Sequence, residues 1–328
     1  MHLSELLHIS SYYWRTCTLH AGVKMDLFSP LSQEPMTAEA LARLIHADPR
    51  GLETLLNALC ALELLHKEGQ HFRCTEVSAT YLSKHSPEYM GHIVMHHHFL
   101  VEGWSKLDQA VQDGAPVRKS SSHAGDGNER ESFLMGMDNL ASQLAPKLAG
   151  QLDLAGKNRL LDLAGGPGTY SIHFCRQHPQ LHAVVVDLPT TRPFAEKNIA
   201  RFGLGDRIRF LGGDVVEDPI GSGFDVVWIS HLLHGLAPAT CQAVIDKAAA
   251  ALTEGGQVLI QEFILDDDRT GPLQPALFSL NMLLGTRAGQ AYSQGDLSAM
   301  LDRAGLGEVQ RLPISLANGA GILRGVKG

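Results

Sequence analysis

The segment 159–187 constrains the fold of this chain more than any other stretch of it. Two short apolar runs, 160–163 and 183–186, are separated by a small-residue turn, 164–168, and by a segment with helical character, 169–177. This order of strand, turn, helix and strand is that of the first βαβ unit of a nucleotide-binding sheet. Asp187 follows the second strand, where its carboxylate could accept hydrogen bonds from the two hydroxyls of a ribose.

The turn lacks the sequence of the common phosphate-binding loops. A dinucleotide fingerprint would need glycine where Ser171 stands, and a P-loop would need Gly-Lys-Ser or Gly-Lys-Thr near the turn. A neutral glycine turn suits a ligand that has no phosphates. With Asp162 before it and Asp187 after the next strand, the stretch resembles the first motif of the S-adenosylmethionine-dependent methyltransferases. The alternative interpretation is that both acids are ordinary caps of strand ends.

Length and charge limit the classes of fold and partner. The 328 residues are enough for two domains, and the formal net charge of −8 argues against a nucleic-acid or anionic-membrane surface. The sequence has no run of about 18 apolar residues, so no transmembrane helix is expected. Residues 1–10 lack the basic head and apolar core of a signal peptide. Five scattered cysteines without a C-x-x-C pair are typical of a reducing compartment, so a cytoplasmic location is expected.

Residues 1–100 are predicted to form a mostly helical domain. A helix rich in apolar residues covers about 1–28, helices capped by Thr37 and Asp48 follow, and a turn at Gly69 joins two short strands. Three helices and a small hairpin form a winged-helix pattern, which often binds DNA. The second capped helix has no stripe of Lys or Arg, so a dimerisation role is preferred to DNA binding.

Residues 101–150 are predicted to connect this domain to a catalytic domain at 151–328 and to line the acceptor pocket. Before this connection, His92 and His96 are four residues apart and could share one helix face. A metal site would need a third ligand, and none is evident in the sequence. A pocket or interface role is therefore preferred for these histidines.

Helices and strands continue to alternate after Asp187. The alternation predicts an α/β, Rossmann-like domain with a mostly parallel sheet, helices on both faces, and ligands at the carboxyl ends of the strands. Residues 254–256 are predicted to form a turn before a strand at 258–263, and one or two last strands are expected within 309–326. The residues that contact ligand are therefore expected at the strand ends.

Several stretches carry a more specific resemblance. In the catalytic half they are LLDLAGGPGTYS at 160–171, RFLGGDVVEDP at 209–219, FDVVWISHLLHGLAPATC at 224–241 and GGQVLIQEFILDDD at 255–268; in the N-terminal half HFLVEGWSKLDQAVQDGAP lies at 98–116. With the winged-helix pattern, they make the chain similar over nearly its whole length to plant-type small-molecule O-methyltransferases and their bacterial relatives, of the hydroxyindole and caffeate O-methyltransferase kind. The resemblance implies a metal-independent enzyme that converts S-adenosylmethionine to S-adenosylhomocysteine and forms a homodimer through its N-terminal domain.

The resemblance also implies roles for individual residues. The cofactor-binding residues that it implies are Gly165, Gly166, Gly168, Asp187, Leu188, Asp214, Val215 and Ser230. Among them, the glycines would face the methionine part of the cofactor, and Asp187 would bind the ribose. Asp214 and Val215 would flank the adenine. His234 matches the catalytic histidine of the family, and Glu262 matches the acid that orients it.

The sequence departs from the pattern of the family in four places. Ala164 replaces the first of three consecutive glycines, and Ser230 stands where the family commonly has a lysine near the cofactor carboxylate. The His-Asp-Trp triplet of the family is His-Gly-Leu at 234–236, and a second acid beside the histidine is missing from 290–293. These departures affect the base mechanism more than cofactor binding.

His234 is the hypothesised general base. A phenol, with a pKa of about 10, is mostly protonated at neutral pH, and an imidazole can take its proton as the methyl group arrives. Glu262, at the end of the next strand, would hold that ring in the correct tautomer. His231 is a rival for the base, and a purely structural capping role for His234 is the other alternative.

The acceptor is predicted only by class, as a flat aromatic or polyketide-like small molecule. The apolar residues that suit such an acceptor are Phe99, Trp104, Phe133, Met135, Met137, Phe278, Met282 and Leu283. Core packing is the default interpretation of any one of them. Two alternatives remain open: an S-adenosylmethionine-dependent methyltransferase that acts on carbon or nitrogen, for example of a tetrapyrrole, and a non-catalytic winged-helix sensor of a small ligand.

Overall fold

The computed structural model of the protein describes residues 1–120, 127–316 and 318–328. These residues form two compact units. The first unit combines 1–101 with 127–139, and the second contains the remaining described residues. Within the described parts of the chain, no helix has the length and apolar character needed to cross a membrane.

The first unit is built from helices and a small sheet. Its elements are α1 (Leu3–Lys24), α2 (Phe28–Gln33), β1 (Met36–Thr37), α3 (Ala38–Ile45), α4 (Pro49–Ala61), β2 (Leu65–Glu68), β3 (His71–Cys74), α5 (Glu76–Tyr81) and most of α6 (Gly91–Trp104). The two predicted helix caps are confirmed, since Thr37 accepts from the backbone N–H of Ala40 and Asp48 from that of Gly51. The strands form an antiparallel sheet in the order β1-β3-β2, and the β2–β3 hairpin follows the helices of the unit, which is consistent with the predicted winged-helix pattern.

The N-terminal helix of this unit carries an exposed apolar surface. Only His20, Gly22 and Val23 of α1 are buried, close to its C-terminal end. We call the exposed set the α1 apolar face: Leu3, Leu6, Leu7, Ile9, Tyr12, Tyr13 and Trp14. Apolar side chains grouped in this way on a protein surface mark an interaction site.

The second unit contains the predicted α/β sheet. Its elements are α7 (Leu107–Asp113), the C-terminal part of α8 (Gly127–Gln151), β4 (Arg159–Leu163), α9 (Thr169–Gln177), β5 (His182–Asp187), α10 (Arg192–Arg201), β6 (Ile208–Gly212), β7 (Phe224–Ser230), α11 (Pro238–Ala251), β8 (Leu252–Glu262), β9 (Ile264–Leu265), α12 (Leu273–Gly285), β10 (Tyr292–Ser293), α13 (Gln294–Arg303), β11 (Leu306–Arg311) and β12 (Gly321–Lys327). Seven of these strands form one sheet in the order β11-β12-β8-β7-β4-β5-β6. β4 to β8 pair in parallel, whereas β12 is antiparallel to both of its neighbours. The predicted Rossmann-like domain is confirmed.

The central strands are buried on both faces of this sheet. Val227 and Ile229 of β7 belong to one core, whereas Val226 and Trp228 belong to the core on the other side. Successive side chains of a strand point to opposite faces, so a strand covered on both sides needs a continuous apolar run. This packing fixes the strand ends, where the candidate site lies.

The predicted turn at 254–256 is wrong, because these residues lie inside β8. Along β7, the partner in β8 changes from Leu252 to Gln257 within two residues, so the pairing shifts its register there. Gly255 has a φ of +70°, a left-handed conformation that favours glycine. The glycines therefore form an irregularity within a continuous strand instead of a turn before it.

Candidate active site

The turn between β4 and α9 is shaped by residues in left-handed conformation. Ala164, Gly166 and Gly168 have φ values of +53°, +55° and +75°. Gly165 differs from them, because a Cβ atom there would lie 2.6 Å from the carboxyl carbon of Asp162. The turn therefore needs glycine at 165 for space and at 166 and 168 for backbone conformation.

Asp162, in β4 just before this turn, has a buried carboxyl group. Its Oδ2 accepts a hydrogen bond of 2.7 Å from Ser171, and within the described residues its Oδ1 has no hydrogen-bond partner. Burial, aided by the nearby charge of Asp187, raises the pKa of Asp162 to about 7. A buried oxygen without a partner beside a small-residue turn fits a ligand group that donates hydrogen bonds, such as the ammonium of S-adenosylmethionine.

Asp187 connects the end of β5 to the same turn. Its Oδ2 accepts from the backbone N–H of Gly166, and its Oδ1 accepts from Leu188 N–H and from Thr191 Oγ1, all at 2.8 Å. A carboxylate offers about four acceptor sites, so capacity remains for a ligand hydroxyl. The structure thus brings the glycine turn, Asp187 and Leu188 together, and their contacts with the cofactor stay predictions.

Asp214 and Val215 follow β6 at the next strand end. Asp214 accepts from the backbone N–H of Val216 at 2.8 Å, and its own N–H donates to Asp218 at 2.8 Å. Val215 is only 7% exposed and packs in the core, so little of its side chain is available to a ligand ring. The roles of both residues at the adenine stay predictions.

Ser230 ends β7 and pairs with Gln261 on β8. Its hydroxyl donates to Oε1 of Gln261 at 3.4 Å, and the Gln261 side chain is fully buried. Ser230 therefore places a small neutral group where the family commonly has a lysine. Its contact with the cofactor stays a prediction.

The candidate base and its partner meet at the ends of β7 and β8. A short 3-10 helix, Leu233–Gly235, carries His234, whose Nδ1 lies 2.8 Å from Oε2 of Glu262. The backbone N–H of His234 donates to Oε1 of the same carboxylate at 3.3 Å. Burial alone would raise the pKa of Glu262, but His234 and His231 outweigh burial and hold it well below its usual range. Because the carboxylate is ionised, Nδ1 of His234 donates to it, and Nε2 is left as the acceptor.

His231, the rival base, contacts the same carboxylate. Its Nδ1 lies 3.6 Å from Oε2 of Glu262, and its Nε2 lies 3.5 Å from Nε2 of Gln261. Both ring nitrogens of His231 therefore face buried protein groups, which makes His234 the better candidate for the base. Gln261 was not predicted from the sequence, although a polar residue within the apolar run 258–263 was a signal for it.

Two phenylalanine rings lie beside the histidines. The ring of Phe263 is 4.7 Å from that of His231, the ring of Phe278 is 4.8 Å from that of His234, and the two phenylalanine rings are 4.6 Å apart. These distances are typical of packed aromatic rings, so the base has an apolar surface next to it. Phe278 was among the predicted acceptor residues, whereas Phe263 was not.

The other predicted acceptor residues are divided between the two units. Trp104, Met282 and Leu283 lie in the second unit with Phe278. Phe99, Phe133, Met135 and Met137 lie in the first unit. Their contact with the acceptor stays a prediction.

The two histidines and the glutamate could also be considered as metal ligands. Of the residues that the structure describes, only His231, His234 and Glu262 form a group close enough, with ligand atoms within 4.8 Å of one another. Two ligands on a tetrahedral zinc ion would be about 3.3 Å apart. His234 and Glu262 are 2.8 Å apart, which fits a hydrogen bond better than a shared metal. Metal-independent catalysis stays a prediction.

Two family models match the chain in the order of its units. Residues 7–84 match the O-methyltransferase dimerisation domain, and residues 104–307 match the O-methyltransferase domain. The chain belongs to the O-methyltransferase family. The predicted family is confirmed, and with it the class of enzyme, an S-adenosylmethionine-dependent methyltransferase.

Individual members of the family are similar over nearly their whole length. The chain is 35% identical over 327 residues to 3-hydroxy-5-methyl-1-naphthoate 3-O-methyltransferase of Streptomyces sahachiroi, which covers 98% of this chain and 94% of the relative. It is 31% identical over 319 residues to the tetracenomycin polyketide synthesis 8-O-methyl transferase TcmO of Streptomyces glaucescens, covering 95% and 93%. The solved structure of an O-methyltransferase family protein from Burkholderia thailandensis is 31% identical, covers 100% of this chain and 98% of its own, and has a TM-score of 0.89.

Proposed function

We propose that this O-methyltransferase transfers a methyl group from S-adenosylmethionine to a hydroxyl of a flat aromatic or polyketide-like small molecule, with His234 as the general base. The observation that carries the proposal is the 2.8 Å contact between Nδ1 of His234 and Glu262, a carboxylate that is only 2% exposed. A buried anion on one ring nitrogen makes the other nitrogen a proton acceptor.

The chemistry needs a proton acceptor at the hydroxyl. S-adenosylmethionine, when bound, supplies an electrophilic methyl group on its sulfonium. Nε2 of His234 takes the proton of the hydroxyl, and Glu262 stabilises the imidazolium that results. Base catalysis of this kind contributes roughly 10²- to 10⁴-fold, and alignment of the acceptor with the methyl group contributes much of the rest.

The glycine turn and β5 are suited to hold the cofactor. The turn 164–168 lets backbone approach the methionine part closely, and Oδ1 of Asp162 is a buried acceptor for its ammonium. Oδ2 of Asp187 would accept from the ribose hydroxyls, and Asp214 would face the exocyclic amine of the adenine. Together these residues give the cofactor hydrogen-bond partners without any positive charge, which suits a ligand without phosphates.

The proposed acceptor class rests on the rings next to the base. Phe263 and Phe278 lie 4.7 Å and 4.8 Å from the two histidine rings, and a planar acceptor can stack on such surfaces. The relative from S. sahachiroi is named for a hydroxynaphthoate and that from S. glaucescens for a polyketide. We therefore propose hydroxylated naphthoates and related fused aromatic rings as the first acceptors to screen.

A homodimer is part of the proposal. The match to the dimerisation domain covers 7–84, which includes much of the α1 apolar face. A second copy of the chain would cover these side chains. This assembly suits an enzyme whose N-terminal helix is otherwise exposed along most of its length.

The test compares His234→Ala with the wild type on an acceptor that the screen identifies. We expect kcat to fall by roughly 10²- to 10⁴-fold, because the hydroxyl keeps its proton, while calorimetric affinity for S-adenosylhomocysteine stays unchanged. His182→Ala, at an exposed histidine that begins β5, is the matched control and should retain wild-type turnover.

Two results would contradict the proposal. Turnover of His234→Ala within a few-fold of the wild type would remove His234 as the base. A product methylated on carbon or nitrogen, identified by mass spectrometry and NMR, would replace the hydroxyl acceptor by one of the alternatives.

A further inference from the structure

Two imidazole rings lie close to one carboxylate oxygen of Glu262, one at hydrogen-bond distance and the other just beyond it. Oε2 lies 2.8 Å from Nδ1 of His234 and 3.6 Å from Nδ1 of His231. The second acid that the family places beside its histidine is missing from 290–293. Among the described residues, His231 and His234 are the side chains that lower the pKa of this carboxyl group.

The backbone conformation of His231 indicates that neighbouring groups fix the orientation of this residue. Its φ is +51°, a left-handed conformation that costs a residue other than glycine roughly 1 kcal/mol. The backbone N–H donates to the carbonyl of Gln261 at 2.9 Å, and the ring packs on Phe263 at 4.7 Å. Such strain persists where several neighbours fix a residue, and it is concentrated at functional sites.

Gln261 determines which nitrogen of His231 carries the proton. Oε1 of Gln261 accepts from Ser230 at 3.4 Å, and its amide Nε2 lies 3.5 Å from Nε2 of His231. An amide nitrogen can only donate, so Nε2 of His231 is the acceptor and Nδ1 carries the proton. This tautomer, assigned from the hydrogen-bonding network, directs an N–H group at Glu262.

We propose that His231 is a positioning residue, which shares the buried carboxylate of Glu262 with His234 and thereby limits how strongly that carboxylate holds a proton on His234. The proposal rests on the proposed function, in which His234 is the base. Its physical reason is electrostatic: an N–H group of His231 directed at the buried carboxylate from 3.6 Å stabilises its negative charge, and a more stable carboxylate stabilises a proton on His234 less.

The other groups around Glu262 do not change this balance. Burial raises the pKa of the Cys241 thiol to about 11, so the thiol stays neutral, and burial also raises the pKa of Tyr292 above its usual range. On the neighbouring strand β12, the partner of Glu262 is Gly321, which has no side chain. The charge of the carboxylate is therefore divided between the two histidines.

The experiment compares the pH profiles of kcat/KM for wild type, His231→Phe and His231→Asn. His231→Phe keeps a ring against Phe263 but removes the donor, so Glu262 interacts with His234 alone. We expect the acid limb of its profile to move to higher pH by about 0.5 to 1 unit. Asparagine tolerates the left-handed conformation and places an amide donor near the position of Nδ1, so its profile should match the wild type.

A profile of His231→Phe that superposes on the wild type would overturn the proposal, as would an equal shift in His231→Asn. A histidine-selective 15N NMR spectrum of the wild type gives a second test that needs no turnover and no folded Phe variant. With the His231 signal assigned by its loss in His231→Asn, a proton on Nδ1 is expected, and a proton on Nε2 would overturn the proposal. Failure of methyl transfer with every acceptor contradicts the proposed function instead, and the NMR result still decides the role of His231.

Discussion

Ala164 occupies a position whose backbone favours glycine. Its φ of +53° lies in the left-handed region, where a side chain costs roughly 1 to 2 kcal/mol. Its neighbour Gly165 has the opposite demand, since a Cβ there would lie 2.6 Å from the carboxyl carbon of Asp162. Ala164 therefore replaces the first of the three glycines at a position where the added methyl group costs backbone strain. It does not displace the buried Asp162, as a methyl group at 165 would.

Reciprocal substitutions at these two positions should change stability in opposite directions. Ala164→Gly relieves the strained backbone, partly offset by the greater freedom of glycine in the unfolded chain, and should raise the free energy of unfolding by about 0.5 to 1 kcal/mol. Gly165→Ala should lower it by about 1 to 3 kcal/mol, because the new methyl group displaces Asp162. Urea denaturation of both variants measures the changes, and changes of the same sign would contradict this account of the turn.

The sequence indicated the candidate site residues at strand ends and in motifs, but it did not indicate contacts that depend on strand pairing. Asp187, His234 and Glu262 could be proposed because each comes directly after an apolar run or within a motif. The contacts of Gln261 with Ser230 and His231 depend on the register of two strands that are about thirty residues apart in the chain. Periodicity is a local property and carries no information on that register.

At the scale of elements, Asp162 joins β4 to α9. Its Oδ2 accepts from Ser171, in the first turn of the helix, and its carboxyl group is buried beside the glycine turn. Burial raises the pKa of Asp162 to about 7, above its ordinary value near 3.8. A raised carboxyl pKa stabilises the fold at low pH, and this contribution is lost as pH rises toward 7, because the unfolded chain gives up the proton more readily.

Asp162→Asn should remove the loss of stability that Asp162 causes as pH rises, since an amide fills the same space and does not ionise. Between pH 5 and pH 8, the free energy of unfolding of the wild type should fall relative to that of the variant by roughly 2 to 3 kcal/mol. Urea denaturation at the two pH values measures the difference. Asp206→Asn, at an exposed turn, is the control and should parallel the wild type. Parallel behaviour of Asp162→Asn would show that Asp162 ionises normally in the folded protein.

The bounds of elements with a strong local sequence signal were predicted closely. Features that depend on how strands pair were not predicted. α9 covers Thr169–Gln177 as predicted, because a turn of small residues and a following apolar strand delimit it. The irregularity in β8 was predicted as a turn, because Gly255 and Gly256 look the same in both settings. The antiparallel direction of β12 could not be predicted, since it depends on how the chain returns to the sheet edge after β11.

At the scale of the whole molecule, the α1 apolar face is the feature that a single chain does not explain. Leu7 and Trp14, seven residues apart and thus on one side of the helix, are 58% and 65% exposed. Burying such side chains contributes roughly 1.5 to 3 kcal/mol each, which favours a partner over exposure to water. The dimerisation-domain match over 7–84 makes a second copy of the chain the proposed partner.

Charges placed on this face should separate the proposed dimer. By light scattering, we expect the wild type to have twice the chain mass of 35.5 kDa. The double variant Leu7→Glu with Trp14→Glu should have the mass of a single chain. A dimer of this variant would bury two carboxylates per chain without partners. Val111→Glu replaces an apolar residue of α7 that is 60% exposed, and it should leave the mass at the dimer value. Circular dichroism confirms that each variant is folded. A monomeric wild type, or a dimer that survives both charges on α1, would mean that the exposed helix serves another partner.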